Sequence, residues 1–147
     1  MKPEDRFSFD TGEVVRFVAG RLGWDGDFGP CVGLGFLGAR GMEAGFVYHD
    51  YQPDFGTVEI TGAAGDWVGT RGKLRAVFDY PFDQLDCQMC IARTANPRAV
   101  RIWTALGAQQ YVVPRLFGRQ TEGTILALTK EAWEEWNGKK SKSAAAD

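Results

Sequence analysis

The sequence runs to 147 residues, 44% hydrophobic and 24% charged, with a formal net charge of -2. That length suits one domain and that composition an ordinary soluble globular chain, while the near-neutral balance supplies no basic field for nucleic acid. No apolar run approaches the roughly 20 residues of a membrane span, and MKPEDRFSFD is too polar for a secretory signal, so a cytoplasmic protein with no membrane partner is expected.

Residues 9 to 22, FDTGEVVRFVAGRL, open on a helix start. Asp10 can cap, Glu13 follows three residues on, and Phe9 and Val14 are spaced to form a hydrophobic staple. Val14, Phe17, Val18 and Leu22 then recur on one face. CVGLGFLGA (31 to 39) and EAGFVYHDY (43 to 51) flank an Arg-Gly-Met turn and read as a hairpin. TVEIT (57 to 61) alternates, with Val58 and Ile60 on one face and Thr57, Glu59 and Thr61 on the other, before a Gly-Ala-Ala-Gly break.

TRGKLRAVFDYPFDQL (70 to 85) places Leu74, Val77, Phe78 and Leu85 at helical spacing, and Pro81 should end or kink its regular part. CQMCIARTA (87 to 95) reads as a strand. Asn96 then caps a short helix with Pro97 at its first position; Ala99, Ile102, Trp103 and Leu106 form its buried stripe, and Gly107 stops it. QQYVVPRLF and TILALTK form a last hairpin, whose first strand Pro114 makes irregular or an edge. EAWEEWNGKKSKSAAAD closes with a short helix and a flexible tail over 138–147, leaving 1–137 as a single domain. The element order predicts an α/β (α+β) layer, its sheet mostly antiparallel. Strand-helix-strand units over 57 to 95 and 87 to 117 put a locally parallel segment at its centre.

Cys87 and Cys90 have C-x-x-C spacing, but they lie on a strand, where positions three apart face opposite ways. A second ligand pair is lacking and His49 is the lone histidine, so the cysteines read as buried thiols and no metal is expected.

The helix starting at Thr70 carries Arg71, Lys73 and Arg75 in its first turns, with no acid before Asp79. Cations are disfavoured there by roughly 0.3–1 kcal/mol each. The cluster is either a solvated basic face or, with Gly69 and Gly72 beside it, an anion site for phosphate. Both this helix and the one headed by Asn96 begin where a strand ends, the usual place for ligands in open α/β sheets.

Here the chain resembles the GNAT superfamily of N-acetyltransferases, phage-associated members in particular. Asn96, Ala99, Trp103, Leu106 and Gly107 match the family's Asn-x-x-Ala…aromatic…Leu-Gly-Phe pattern, with Ala108 in place of Phe. DWVGTRGKLRAVFDYPFDQL is similar to the pyrophosphate loop and helix, though Gly69 and Gly72 stand at shifted positions. The resemblance implies helices on both faces of the sheet, a splayed parallel strand pair and acetyl-CoA as cosubstrate. It implies cofactor contacts from Ile60, Thr61, Val68, Gly69, Thr70, Arg71, Gly72, Lys73, Asn96, Ala99 and Trp103. Trp103 stands where many members carry the tyrosine that protonates the leaving thiolate, and an indole N–H cannot serve as that acid.

Two residues are candidates for removing a proton from an amine: Glu59, which the resemblance places as base, and His49, the side chain with a suitable intrinsic pKa. Each also has a structural reading, Glu59 as a solvent-face carboxylate and His49 as a packed, hydrogen-bonded ring. Tyr48, Tyr80 and Tyr111 could each supply the acid. The expected function is N-acetyl transfer from acetyl-CoA to a small-molecule or protein amine by direct attack; the alternatives are a catalytically reduced CoA-binding or interaction domain and a homodimer paired through the last hairpin. Asp25, Asp27, Asp50 and Asp54 suit either a cationic acceptor or a solvated loop.

Overall fold

A computed structural model describes residues 6–65 and 69–146, with side chains through Gly138. Its strands are β1 (Arg6–Ser8), β2 (Cys31–Gly38), β3 (Gly41–Gln52), β4 (Thr57–Ala64), β5 (Met89–Thr94), β6 (Gln109–Val113) and β7 (Gly123–Thr129). Its helices are α1 (Thr11–Leu22), α2 (Arg71–Asp79), α3 (Pro97–Ala105) and α4 (Lys130–Ala146). The strand order β1-β2-β3-β4-β5-β7-β6 is mostly antiparallel with one parallel step, as the mixed α/β reading predicts. The chain divides into two compact units, Met1–Gln52 with Val58–Tyr80 and Pro53–Thr57 with Pro81–Asp147.

In the first unit, the Asp10 carboxylate accepts from the Glu13 amide at 3.1 Å and starts α1 as its sequence predicts. The staple does not form: Phe9 is 75% exposed and its ring lies 6.3 Å from Phe7. Leu22 is also exposed, and Val14, Val18 and Ala19 make the buried face. The hairpin turns at Ala39 and Arg40, with Gly41 at φ 109, one step earlier than the Arg-Gly-Met turn expected. β1, which has no clear sequence signal, adds to β2 with Phe7 opposite Phe36.

Alternation along β3 sends Val47 and Tyr48 to opposite faces. Val47 joins Val14 and Val18 of α1, whereas the buried Tyr48 hydroxyl donates to the Val77 carbonyl of α2 at 2.5 Å. The two helices therefore cover opposite faces of this unit. β4 runs three residues past TVEIT to Ala64, because Gly62 and Ala63 continue the strand instead of breaking it. The α-helical part of α2 ends at Asp79, and a π-helical turn, Tyr80–Gln84, carries Pro81. A proline cannot donate its backbone hydrogen bond, so the regular ladder stops where the sequence says it should.

In the second unit, β7 inserts between β5 and β6 and pairs antiparallel with both. The strand-helix-strand segment at 87 to 117 thus gives strands that run the same way without being neighbours. β6 ends at Val113, one residue before Pro114, and stands at the edge of the order. The stripe of α3 is only half-buried, with Leu106 alone fully covered. Phe82 stacks on the buried Trp133 of α4 at 6.2 Å. α4 is one helix through Ala146, longer than the short element its composition suggests.

Cys87 and Cys90 are fully buried. Burial raises the Cys87 thiol, with Asp86 adding to it, and raises Cys90 still further. Both stay protonated, as structural thiols do.

Candidate functional site

Antiparallel β3 and the following β4 bring His49 and Glu59 together, although each is also explicable alone as a packing or surface residue. Donor atoms of His49, Asp50 and Glu59 all lie within 4.8 Å of one another. His49 is buried, its ring 5.1 Å from Phe28 of the loop between α1 and β2. Trp24 lies 6.2 Å beyond Phe28. The loop is folded by its own carboxylates, Asp25 accepting from the Asp27 amide and Asp27 from the Gly29 amide.

Both imidazole nitrogens are engaged. The Nδ1 atom is 2.8 Å from Asp50 Oδ2, and Nε2 is 2.7 Å from Thr61 Oγ1. A carboxylate can only accept, so Nδ1 carries the proton; in the neutral tautomer that this defines, Nε2 is the acceptor for the Thr61 hydroxyl. Strand alternation would point Asp50 away from its neighbour His49. Instead Asp50 adopts φ 53, a left-handed conformation that aspartate tolerates, and its carboxylate turns back onto the ring. A cation held by His49, Asp50 and Glu59 would have to displace one of these hydrogen bonds.

The predicted anion site also lies in the first unit. Thr70 caps α2, its hydroxyl accepting from the Lys73 amide at 3.4 Å, and no acidic residue occupies the first turn. The amides of Arg71 and Gly72 precede the first intrahelical acceptor, and a methyl group at Gly72 would meet nothing within 4 Å. Ile60 and Thr61 are buried on β4, while Val68 lies outside the described residues. The second unit holds Asn96, Ala99 and Trp103: the Asn96 side chain accepts from the Arg98 amide at 2.9 Å, and Ala99 and Trp103 are half-buried along α3.

The tyrosines separate clearly. Tyr48 is committed to the Val77 carbonyl, Tyr80 packs edge-on against Tyr48 at 4.9 Å, and Tyr111 is half-exposed with its hydroxyl 2.6 Å from Gln109 Oε1. The sequence names His49 and Glu59 as separate candidates and gives no sign that Asp50 and the Thr61 side chain engage the two ring nitrogens of His49. A His-Asp pair inside an alternating strand gives no signal, because the contact depends on one φ angle.

No protein-family profile matches the chain, and no curated protein matches it significantly. Solved structures do. A mutant of spermidine N-acetyltransferase SpeG from Vibrio cholerae superposes with a TM-score of 0.68 at 10% identity, over 92% of this chain and 98% of that one. A chimera of SpeG from Vibrio cholerae and hSSAT gives 0.67 at 12% identity, over 87% and 98%. The ribosomal-protein-S5-alanine acetyltransferase of Vibrio fischeri gives 0.59 at 11% identity, over 70% of this chain and 63% of its own. At such identities the likeness is one of architecture, and it is consistent: this chain has the fold of the GNAT acetyltransferases.

Proposed function

We infer that the protein is an acetyl-CoA-dependent N-acetyltransferase that transfers the acetyl group to a primary amine by direct attack. The observation that carries this reading is the grouping of Glu59 with His49 and Asp50 in a chain of acetyltransferase fold. A primary ammonium with a pKa of about 10 attacks a thioester only after losing a proton. Glu59 takes that proton, and His49 is the second titratable group beside it. Arg71, Lys73 and Arg75 at the N-terminus of α2, with open space at Gly72, suit the cofactor's pyrophosphate, which the amides around Gly69, Thr70 and Gly72 would hold. Asn96, Ala99 and Trp103 are assigned to the cofactor, and a backbone N–H near Ile60 or Thr61 to the developing oxyanion. Exposed Asp25, Asp27 and Asp50 favour a cationic acceptor, in keeping with the spermidine named for two of the similar structures. The reaction needs no metal, and the cytoplasm supplies its cosubstrate.

Two features favour a second reading, a CoA-binding domain with reduced activity: Trp103 stands where the resemblance expects the acid, and the Tyr48 hydroxyl is occupied. CoA release from acetyl-CoA, measured with a panel of primary amines, separates the two. Turnover above the amine-free rate is expected, and Glu59→Gln should lower it by roughly 10²–10⁴-fold with cofactor affinity retained. No turnover with any amine, with CoA still bound, would establish the second reading.

A further inference from the structure

The proton taken from the acceptor must reach water once per turnover, and Glu59 is only half-exposed. His49 joins the interior to the surface: its side chain is 7% exposed, whereas that of Asp50, hydrogen-bonded to it, is 61% exposed. On the inner side its Nε2 accepts from the buried Thr61 hydroxyl, and Thr61 lies two residues from Glu59 on the same face of β4. We propose that Thr61, His49 and Asp50 form a proton path that carries the acceptor's proton from Glu59 to solvent.

The transfers balance without any bond beyond O–H and N–H being made or broken. Protonated Glu59 gives its proton to the Thr61 oxygen as the Thr61 proton moves to His49 Nε2. The imidazolium releases its Nδ1 proton to Asp50, and Asp50 releases it to water; ring rotation or the reverse tautomer shift resets the path. Cys31 is the cross-strand partner of His49 between β2 and β3, and burial raises that thiol so that it keeps its proton. Phe28 packs on the ring at 5.1 Å. The left-handed backbone at Asp50 supplies the geometry, since an extended residue there would face away from His49.

This proposal rests on the acetyltransferase reading, and its test separates the two. Asp50→Asn keeps an oxygen for the Nδ1–H and tolerates the same backbone, but it cannot take a proton. Thr61→Val removes the hydroxyl and keeps the shape. Turnover is measured for each with a strongly basic alkylamine and with a weakly basic arylamine that is already neutral at the assay pH. Both variants should lose about tenfold or more in kcat with the alkylamine, and Asp50→Asn should leave KM for acetyl-CoA unchanged. The loss should shrink with the arylamine and with rising pH, and Thr61→Ser should recover most of what Thr61→Val loses. Melting temperatures control for folding. Equal losses with both amines, or no loss with either, would overturn the path while leaving the transferase reading intact. A wild-type protein that acetylates neither amine would remove that reading and the path with it.

Discussion

Gly33 has no room for a methyl group. A Cβ there would lie 2.7 Å from Val14 Cβ and 3.2 Å from Thr11 Cα, and its amide donates to the Thr11 hydroxyl at 3.1 Å. Neither neighbour is the flexible end of a side chain, so α1 would have to lift from β2. Gly33→Ala should therefore cost about 1–3 kcal/mol in chemical denaturation, the range for overpacking a core. Gly72 makes the contrast: nothing stands within 4 Å and its φ is ordinary. Gly72→Ala should be neutral or stabilise α2 by up to about 1 kcal/mol. The two glycines look alike in sequence. Only the approach of α1 distinguishes them, just as only the φ of Asp50 distinguishes a surface aspartate from a partner of His49.

At the scale of elements, α2 is the most legible, and the role proposed for it rests on its first turn. The run from Thr70, its capping hydroxyl and the stop before Pro81 are all written locally, because caps and proline act within one turn. The first turn of α2 holds no acidic residue, an arrangement that a bound anion would favour in the proposed cofactor site. Gly72→Pro removes one first-turn N–H at a position where proline is accepted and where a Cβ meets nothing within 4 Å. Titration calorimetry should show weaker CoA binding with unchanged circular dichroism; a folded variant with unchanged affinity would take the pyrophosphate away from this helix. Arg71→Ala and Lys73→Ala should cost less, and their effect should fade as salt rises. α3 is less legible. Its Asn96 cap and Pro97 start are local and correct, but its stripe is half-covered, which depends on what packs against it.

For the whole molecule, acetyl-CoA or CoA should raise the melting temperature, because a ligand that binds only the folded chain stabilises it by about 2.7 kcal/mol at a hundred times its Kd. No shift at millimolar ligand would contradict a cofactor site. What the sequence determined by itself was the order and type of the main elements, the capped helix starts and the mixed sheet class, with Glu59 and His49 named only as separate candidates. These follow from hydrophobic period and from chemistry carried within a few residues. Tertiary structure alone decided that β1 joins the sheet, that β7 enters between β5 and β6, that Phe9 stays exposed, and that β4 continues through Gly62. It also decided that Asp50 and Thr61 hold the two nitrogens of His49. Strand pairing and side-chain partnership join residues far apart in the chain, and a strand's pattern fixes which face a residue takes but not which neighbour it meets.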